Sequence, residues 1–402
     1  DGVRVPHPMP GTSAPSILPP FVKSVLDRSL LAPIRAMRAV YVPLLMIYFA
    51  YGFGGVTGIA QSFYEREQLT FSPAQLADLS VWVMVPWTIK MVFAQFVDGV
   101  AVFGSRRRVY VFLGAVLVAA GYTLLGGSAA GWFGQSHGAY NSYYAIARIV
   151  MMCGLVLQDV VADTMSTEVV PRKNADGTAR PDAEVESDLG MVQVLGRLAL
   201  SFGILLASFV GGQLAAHLTR SQVFFCGLSV PLISVLGAIF VKVDAEEESP
   251  VDWEIMLGGL GFGAFTIAMG IAKKYTHRFP VFEYSAEIVF TVSLVVVLAL
   301  LYRTVKDVDR ASVQKLALAA LVIFAFRATP GSGSAVGWWQ QHDLGFDEAF
   351  YGTLATIGSG LAIVGMWFGS HAVTKRPVTH VLAALTILGT VLSIPIIGMA
   401  YG

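Results

Sequence analysis

Four basic side chains stand deep inside long apolar runs of the sequence: Lys90, Arg148, Arg197 and Arg327. A charge within a run of membrane length is costly, so each marks a candidate site. Counted along a helix at 1.5 Å per residue, all four lie roughly 10 to 18 Å from the nearer end of their run, in its middle third. The acid at that depth is Asp159, with Asp163 one helical turn away on the same face. Four central cations against one or two acids leave positive charge that a bound anion would compensate. Its acidic groups would meet Arg or Lys through charge-assisted hydrogen bonds, and Asp159 could accept from a donor on the same molecule. Trp87, deep and beside Lys90, offers a face on which a flat ring could stack. The competing arrangement is internal pairing, of Asp159 with Arg197 for instance. Two acids one turn apart in an apolar helix are also candidates to take up a proton, which makes Asp159 and Asp163 candidate coupling groups.

A second charged constellation runs from Asp98 through Gly99 and Gly104 to Arg106, Arg107 and Arg108. A helix-end carboxylate beside guanidinium groups can lock a gate with charge-assisted hydrogen bonds that break when the surrounding helices move. The alternative is an ordinary cytoplasmic loop that follows the positive-inside rule.

These residues need apolar elements to hold them. Hydrophobic residues make up 55% of the 402 and charged residues only 13%, more apolar surface than one soluble core could bury. Runs able to cross roughly 30 Å of hydrocarbon fall near residues 40–60, 77–98, 109–128, 141–165, 190–216, 221–242, 254–272, 284–302, 315–338, 349–370 and 379–400. Eleven spans are therefore expected, preceded by an amphipathic stretch at 21–38 that suits an interfacial or a solvated helix. With a cytoplasmic N-terminus, eighteen of the 27 Lys and Arg fall in the tail and alternate loops, against five in the opposite loops. The loop at 273–283 is the exception, with Lys273, Lys274 and Arg278 on the disfavoured side.

The chain also repeats itself. Leu69-Thr70-Phe71-Ser72-Pro73-Ala74 and Leu344-Gly345-Phe346-Asp347-Glu348-Ala349 match at Leu, Phe and Ala across an offset of 275 residues, which also superposes the start of the first span on that of the ninth. Parallel repeats related by an axis along the membrane normal behave this way. The expected organisation is a cytoplasmic tail at 1–39, a six-helix half at 40–242, a linker with two extra helices at 243–314, and the start of a second half at 315–402. A second half as long as the first would need further helices beyond Gly402.

The Asp98 to Arg108 loop resembles the gate signature of the major facilitator superfamily, and its surroundings resemble the folate-biopterin transporter family. The matching segments are Pro86-Trp87-Thr88-Ile89-Lys90, the loop itself, Asp159-Val160-Val161-Ala162-Asp163 with Glu168, and Ala328-Thr329-Pro330 with Leu344-Gly345-Phe346. Departures include Met91 where the family usually has proline, Arg327 where it often has glutamine, the polar loop 171–189 and the inserted helix pair. The resemblance implies an all-α integral membrane protein of major facilitator fold, with two pseudo-symmetric six-helix halves working by alternating access. It implies a folate or pteridine anion as substrate, held by Lys90, Arg148, Arg197, Arg327, Asp159 and Trp87. Asp98, Arg106, Arg107, Arg108, Asp159 and Asp163 would serve as gate or proton-coupling groups. The setting would be a bacterial inner membrane. A related group, similar to light-harvesting assembly proteins, shares the helix framework and supplies the alternative: a non-transporting assembly or pigment-handling factor.

Other signals carry less. Cys153 and Cys226 lie in apolar runs without metal-ligand spacing, and no cofactor or nucleic-acid partner is implied. Gly358 to Gly365 has the spacing of a dinucleotide loop but lacks a preceding strand, so an enzyme is not expected. Close helix packing is expected instead at Gly54/Gly58 and Gly365/Gly369. The inserted helix pair is open to a lipid or protein partner.

Overall fold

A computed structural model describes residues 37–102, 107–134, 137–174, 176–241, 250–273, 279–305, 312–315, 317–318, 321–322, 333–375 and 378–401. Arg106, Arg327 and the stretch at 21–36 lie outside the described residues. Helices account for the fold, and no β-strand occurs among the described residues beyond an isolated bridge between Lys173 and Ala179. In chain order they are α1 (Ala39–Glu67), α2 (Pro73–Gly99), α3 (Arg108–Ala129), α4 (His137–Glu168), α5 (Asp182–His217), α6 (Arg220–Phe240), α7 (Trp253–Ala272), α8 (Ser285–Val305), α9 (Gly333–His342), α10 (Glu348–Lys375) and α11 (Val378–Tyr401).

Eight of these, α1 to α7 and α10, are long and apolar enough to cross a bilayer, so the chain is an all-α integral membrane protein. Helices α8 and α11 coincide with two more expected spans, though their apolar stretches among the described residues are shorter. Most of the expected span at 315–338 lies outside the described residues. The polar loop after α4 is shorter than its composition suggests, because α5 begins at Asp182 rather than near residue 190. That early start is anchored by Arg180, whose guanidinium meets Asp188 at 2.9 Å, and by Arg38, which reaches the same carboxylate at 3.2 Å.

Lipid is as apolar as a leucine side chain, so helices in a bilayer associate through close packing and polar contacts rather than through apolar burial. Glycine provides the close packing. A Cβ on Gly52 would overlap the Leu200 carbonyl, and one on Gly203 would overlap Phe49 O, so α1 and α5 cross nearly backbone to backbone. Gly114 and Gly154 bring α3 against α4 in the same way, and Gly212 meets Gly352 where α10 lies on α5. Of the glycines expected to do this, Gly54, Gly58 and Gly365 do not, and the surroundings of Gly369 lie outside the described residues. Gly54 has only ordinary contacts, while Gly58 and Gly365 face open space, because spacing identifies a stripe of small residues without saying which way it points. The packed side chains form two apolar clusters, one around Tyr41, Tyr110 and Met165, the other around Tyr64, Tyr122 and Phe224.

The repeat seen in sequence recurs bond for bond. After α1, Leu69 N donates to Tyr64 O and Phe71 N to Glu65 O; after α9, Leu344 N donates to Trp339 O and Phe346 N to Gln340 O. Thr70 and Gly345 both take positive φ, at 52° and 66°. Ser72 and Asp347 then cap the following helix, accepting from the backbone N–H of Gln75 and Phe350. The two copies also touch: Arg66 Nη1 donates to the carbonyl of Gln341, its counterpart 275 residues on. At the same membrane face Arg220 bridges Glu67 and Glu348, and Phe63 meets the edge of Tyr351 at 6.0 Å.

Candidate functional site

Helix α2 is broken where the chemistry sits. Pro86 has no N–H and crowds the preceding turn, and the helix lapses at Ile89 (φ −103°, ψ 23°) before restarting at Lys90. The break turns the Lys90 ammonium toward α4. There Nζ lies 2.6 Å from Asp159 Oδ2 and 3.0 Å from Asp163 Oδ2. Two carboxylates at i and i+4 thus bracket one cation, as their shared helix face requires. Asp159 is almost wholly buried at 6% side-chain exposure, whereas Lys90 and Asp163 keep 34% and 37%. The pair is therefore sealed on one side and open on the other.

Aromatic and hydroxyl groups complete the cluster. The Trp87 ring, one helical turn before Lys90, has its centroid 5.3 Å from Nζ, and Trp87 Nε1 points at the Met152 sulfur at 3.1 Å. Tyr51 of α1 leans on Trp87 with centroids 6.2 Å apart. Tyr48 OH donates to Asp163 Oδ1 at 3.1 Å, and Ser166, whose hydroxyl accepts from Gln193 of α5, donates to the Asp163 carbonyl at 2.6 Å. Arg197 lies one turn beyond Gln193 on α5. It is exposed, its charge is felt at Asp159, and it forms no hydrogen bond or ion pair among the described residues. The internal pairing considered from sequence, Asp159 with Arg197, is thus replaced by Asp159 with Lys90. Depth along a helix is legible in sequence; the direction a side chain takes around it is not. The cluster can offer an open cation, a carboxylate and an aromatic face together.

Arg148 belongs to a different site. It lies eleven residues before Asp159 on α4, about 16 Å away along the axis. Its guanidinium donates to Glu65 Oε1 at 2.7 Å and to Tyr144 OH at 3.0 Å, while Tyr144 donates to the same carboxylate at 2.8 Å. Glu65 gives no signal in the sequence because it sits just beyond the first apolar run, where an acid costs little. A cavity of about 230 Å³ beside it is lined by Arg66, Arg148, Ser80, Trp338 and Gln341.

At the opposite face the gate constellation is a fork. Arg107 donates to Asp98 Oδ1 at 3.0 Å and, through Nε and Nη2, to both oxygens of Glu168, whose side chain is 2% exposed. A bidentate guanidinium–carboxylate pair is among the stronger polar contacts available to a protein. Arg108 instead caps α6 by donating to Val241 O. The fork ties the ends of α2, α3 and α4 to one another, and Tyr110 OH adds bonds to Phe96 O and Val100 O at 2.9 Å each.

Comparison with known proteins agrees with the resemblance. The family model for the BT1 family matches residues 52–398. A folate-biopterin transporter of Synechocystis is 23% identical over 355 residues, covering 87% of this chain and 58% of that protein. "Probable folate-biopterin transporter 4" of Arabidopsis thaliana is 25% identical over 209 residues, or 52% of this chain and 38% of the other. Folate transporter 1 of Plasmodium falciparum is 24% identical over 178 residues, 44% of this chain and 31% of its own length. The chain spans a little over half the length of the Synechocystis protein. With most of its length matched by the family model, from α1 to α11, the chain belongs to the BT1 family.

Proposed function

We propose that this protein is a secondary transporter of a folate- or pteridine-class anion, working by alternating access of two six-helix halves, the first at 40–242 and the second beginning at about 315. The observation that carries the reading is the bracketed ammonium: Lys90, set just after the helix break at Ile89, held by Asp159 and Asp163, and flanked by the Trp87 ring. A substrate carboxylate exchanges for Asp163 on Lys90 and draws on unpaired Arg197, while Trp87 stacks on the ring and Asp159 accepts from its amino edge. Arg148 and Arg327 serve the same anion at other stages, Arg148 from its station beside Glu65. Release of Asp163 from Lys90 makes it the proton carrier that couples transport to a pH gradient. The Asp98–Arg107–Glu168 fork, with Arg108 and, next in sequence, Arg106 as further gate residues, forms the cytoplasmic gate, and the N-terminus is cytoplasmic in a bacterial inner membrane.

The relatives' names, which refer to folate and biopterin transport, support the substrate class. Uptake of labelled folate and biopterin into proteoliposomes of the full-length protein tests it. Saturable uptake, driven by an inward proton gradient and lost in Lys90→Ala, is the expected result. No uptake of either compound by well-folded protein would overturn the substrate assignment, and uptake indifferent to the gradient would overturn the coupling.

A further inference from the structure

Helix α7, the first of the inserted pair, does more than join the two repeats. Three of its glycines face α2: Gly259 lies against Val92, Gly263 against Ile89 and Gly270 against Trp82, leaving no room for a Cβ at the first two. The inserted helix therefore braces the break at Ile89 from behind. Helix α8 packs on α7, and between α2, α7 and α8 remains a cavity of about 950 Å³.

The cavity has a membrane polarity of its own. At its outer end, the face away from the Asp98–Arg107–Glu168 fork, stand Gln75, Asp78, Lys273 and Ser285, with Lys273 Nζ 3.1 Å from Asp78 Oδ1. Both charged side chains are about half exposed, at 53% and 58%. Toward the bilayer centre the walls become Trp82, Phe262, Val289 and Phe290. From Asp78 to Thr88, the deepest α2 residue on the wall, ten residues of helix cover about 15 Å, half of the roughly 30 Å hydrocarbon core. The cavity thus runs from the headgroup level to the mid-plane of the bilayer, the depth of one leaflet, and Val81 and Phe290 on its rim are half exposed.

We propose that this cavity is a lipid site that holds one phospholipid of that leaflet. The headgroup phosphate takes Lys273, Asp78 accepts from a headgroup ammonium or hydroxyl, and an acyl chain lies against Trp82, Phe262 and Phe290. A space of this size beside hydrocarbon fills with acyl chain, and the rim supplies both partners a phosphate-bearing headgroup needs. The site also gives a reason for the one loop whose cations break the charge bias: Lys273, followed in sequence by Lys274 and Arg278, sits where a phosphate would stabilise it. The chemistry is that of a bilayer lipid, independent of what the protein transports.

Native mass spectrometry of the full-length protein, reconstituted in mixed phosphatidylethanolamine and phosphatidylglycerol and re-extracted in mild detergent, reads the site directly. One retained phospholipid per chain is expected. Val81→Trp, which fills the cavity from an exposed position, should abolish retention, and Lys273→Ala should weaken it about fivefold, as loss of one headgroup-level lysine does. Size-exclusion elution and helix content establish that each variant is folded; if Val81→Trp fails that check, Lys273→Ala decides alone. Wild-type protein that keeps no phospholipid, variants that keep as much as wild type, or a second protein cross-linking across Trp82 and Phe290 would overturn the proposal.

Discussion

Replacing Lys90 by methionine keeps an unbranched apolar stem and removes the ammonium with its charge and its hydrogen bonds to Asp159 and Asp163. Asp159 is then left at 6% exposure with no partner closer than the Coulomb reach of Arg197. Breaking a fully buried ion pair by removing one partner costs about 3–5 kcal/mol; since Lys90 itself is a third exposed, the cost here falls below that, to about 2–3 kcal/mol. Neutralising the stranded acid as well, with Asp159→Asn, removes the penalty and should bring stability back to within about 1 kcal/mol of wild type. The double-mutant cycle then gives a coupling of about 2 kcal/mol. Asp163 behaves differently. At 37% exposure, and with Tyr48 OH as an alternative partner, its coupling to Lys90 should stay below about 1 kcal/mol. Reversible unfolding in mixed micelles measures all of these. A Lys90–Asp159 coupling below about 0.5 kcal/mol, or one smaller than that of Lys90–Asp163, would refute the assignment of Asp159 as the buried partner.

Three further perturbations follow from the geometry. Arg107→Ala strands Glu168 at 2% exposure and should cost about 3–5 kcal/mol in the same unfolding assay, with partial recovery when Glu168→Gln is added. Gly203→Leu drives a side chain into the Phe49 carbonyl and should abolish folded protein on size-exclusion chromatography, whereas Gly58→Ala, at a position with nothing within 4 Å, should elute as wild type. Thr70→Gly relieves a positive φ of 52° and should stabilise by up to about 1 kcal/mol, while Gly345→Thr at the repeated turn should destabilise by a similar amount.

The sequence carries the axial coordinate of this protein well and the angular one poorly. Hydropathy places α3 and α7 within a residue of their observed ends, because the bilayer sets the length of a span. The repeat was legible because turns are local: the same offset that matches Leu69 with Leu344 reproduces the positive φ and the cap. Lys90 and Asp159 were both legible as deep charges, yet their pairing depends on the break that Pro86 imposes on α2, which turns Lys90 toward α4. Glu65 and Tyr48 gave no signal at all, the one lying at a run's end and the other passing for an ordinary apolar aromatic. The glycines that mattered were distinguished from those that did not only by the direction they face.

The central claim, that the Lys90 cluster is where substrate binds, is tested most directly by equilibrium binding of labelled folate to purified full-length protein. The comparison is wild type against Trp87→Ala and against the charge-balanced Lys90→Met with Asp159→Asn, chosen because it should keep the fold. Both variants are predicted to bind at least about tenfold more weakly, the loss of roughly 1.4 kcal/mol or more that one stacking face or one charge-assisted bond represents. Unchanged affinity in the folded double variant would contradict the account and place the substrate elsewhere.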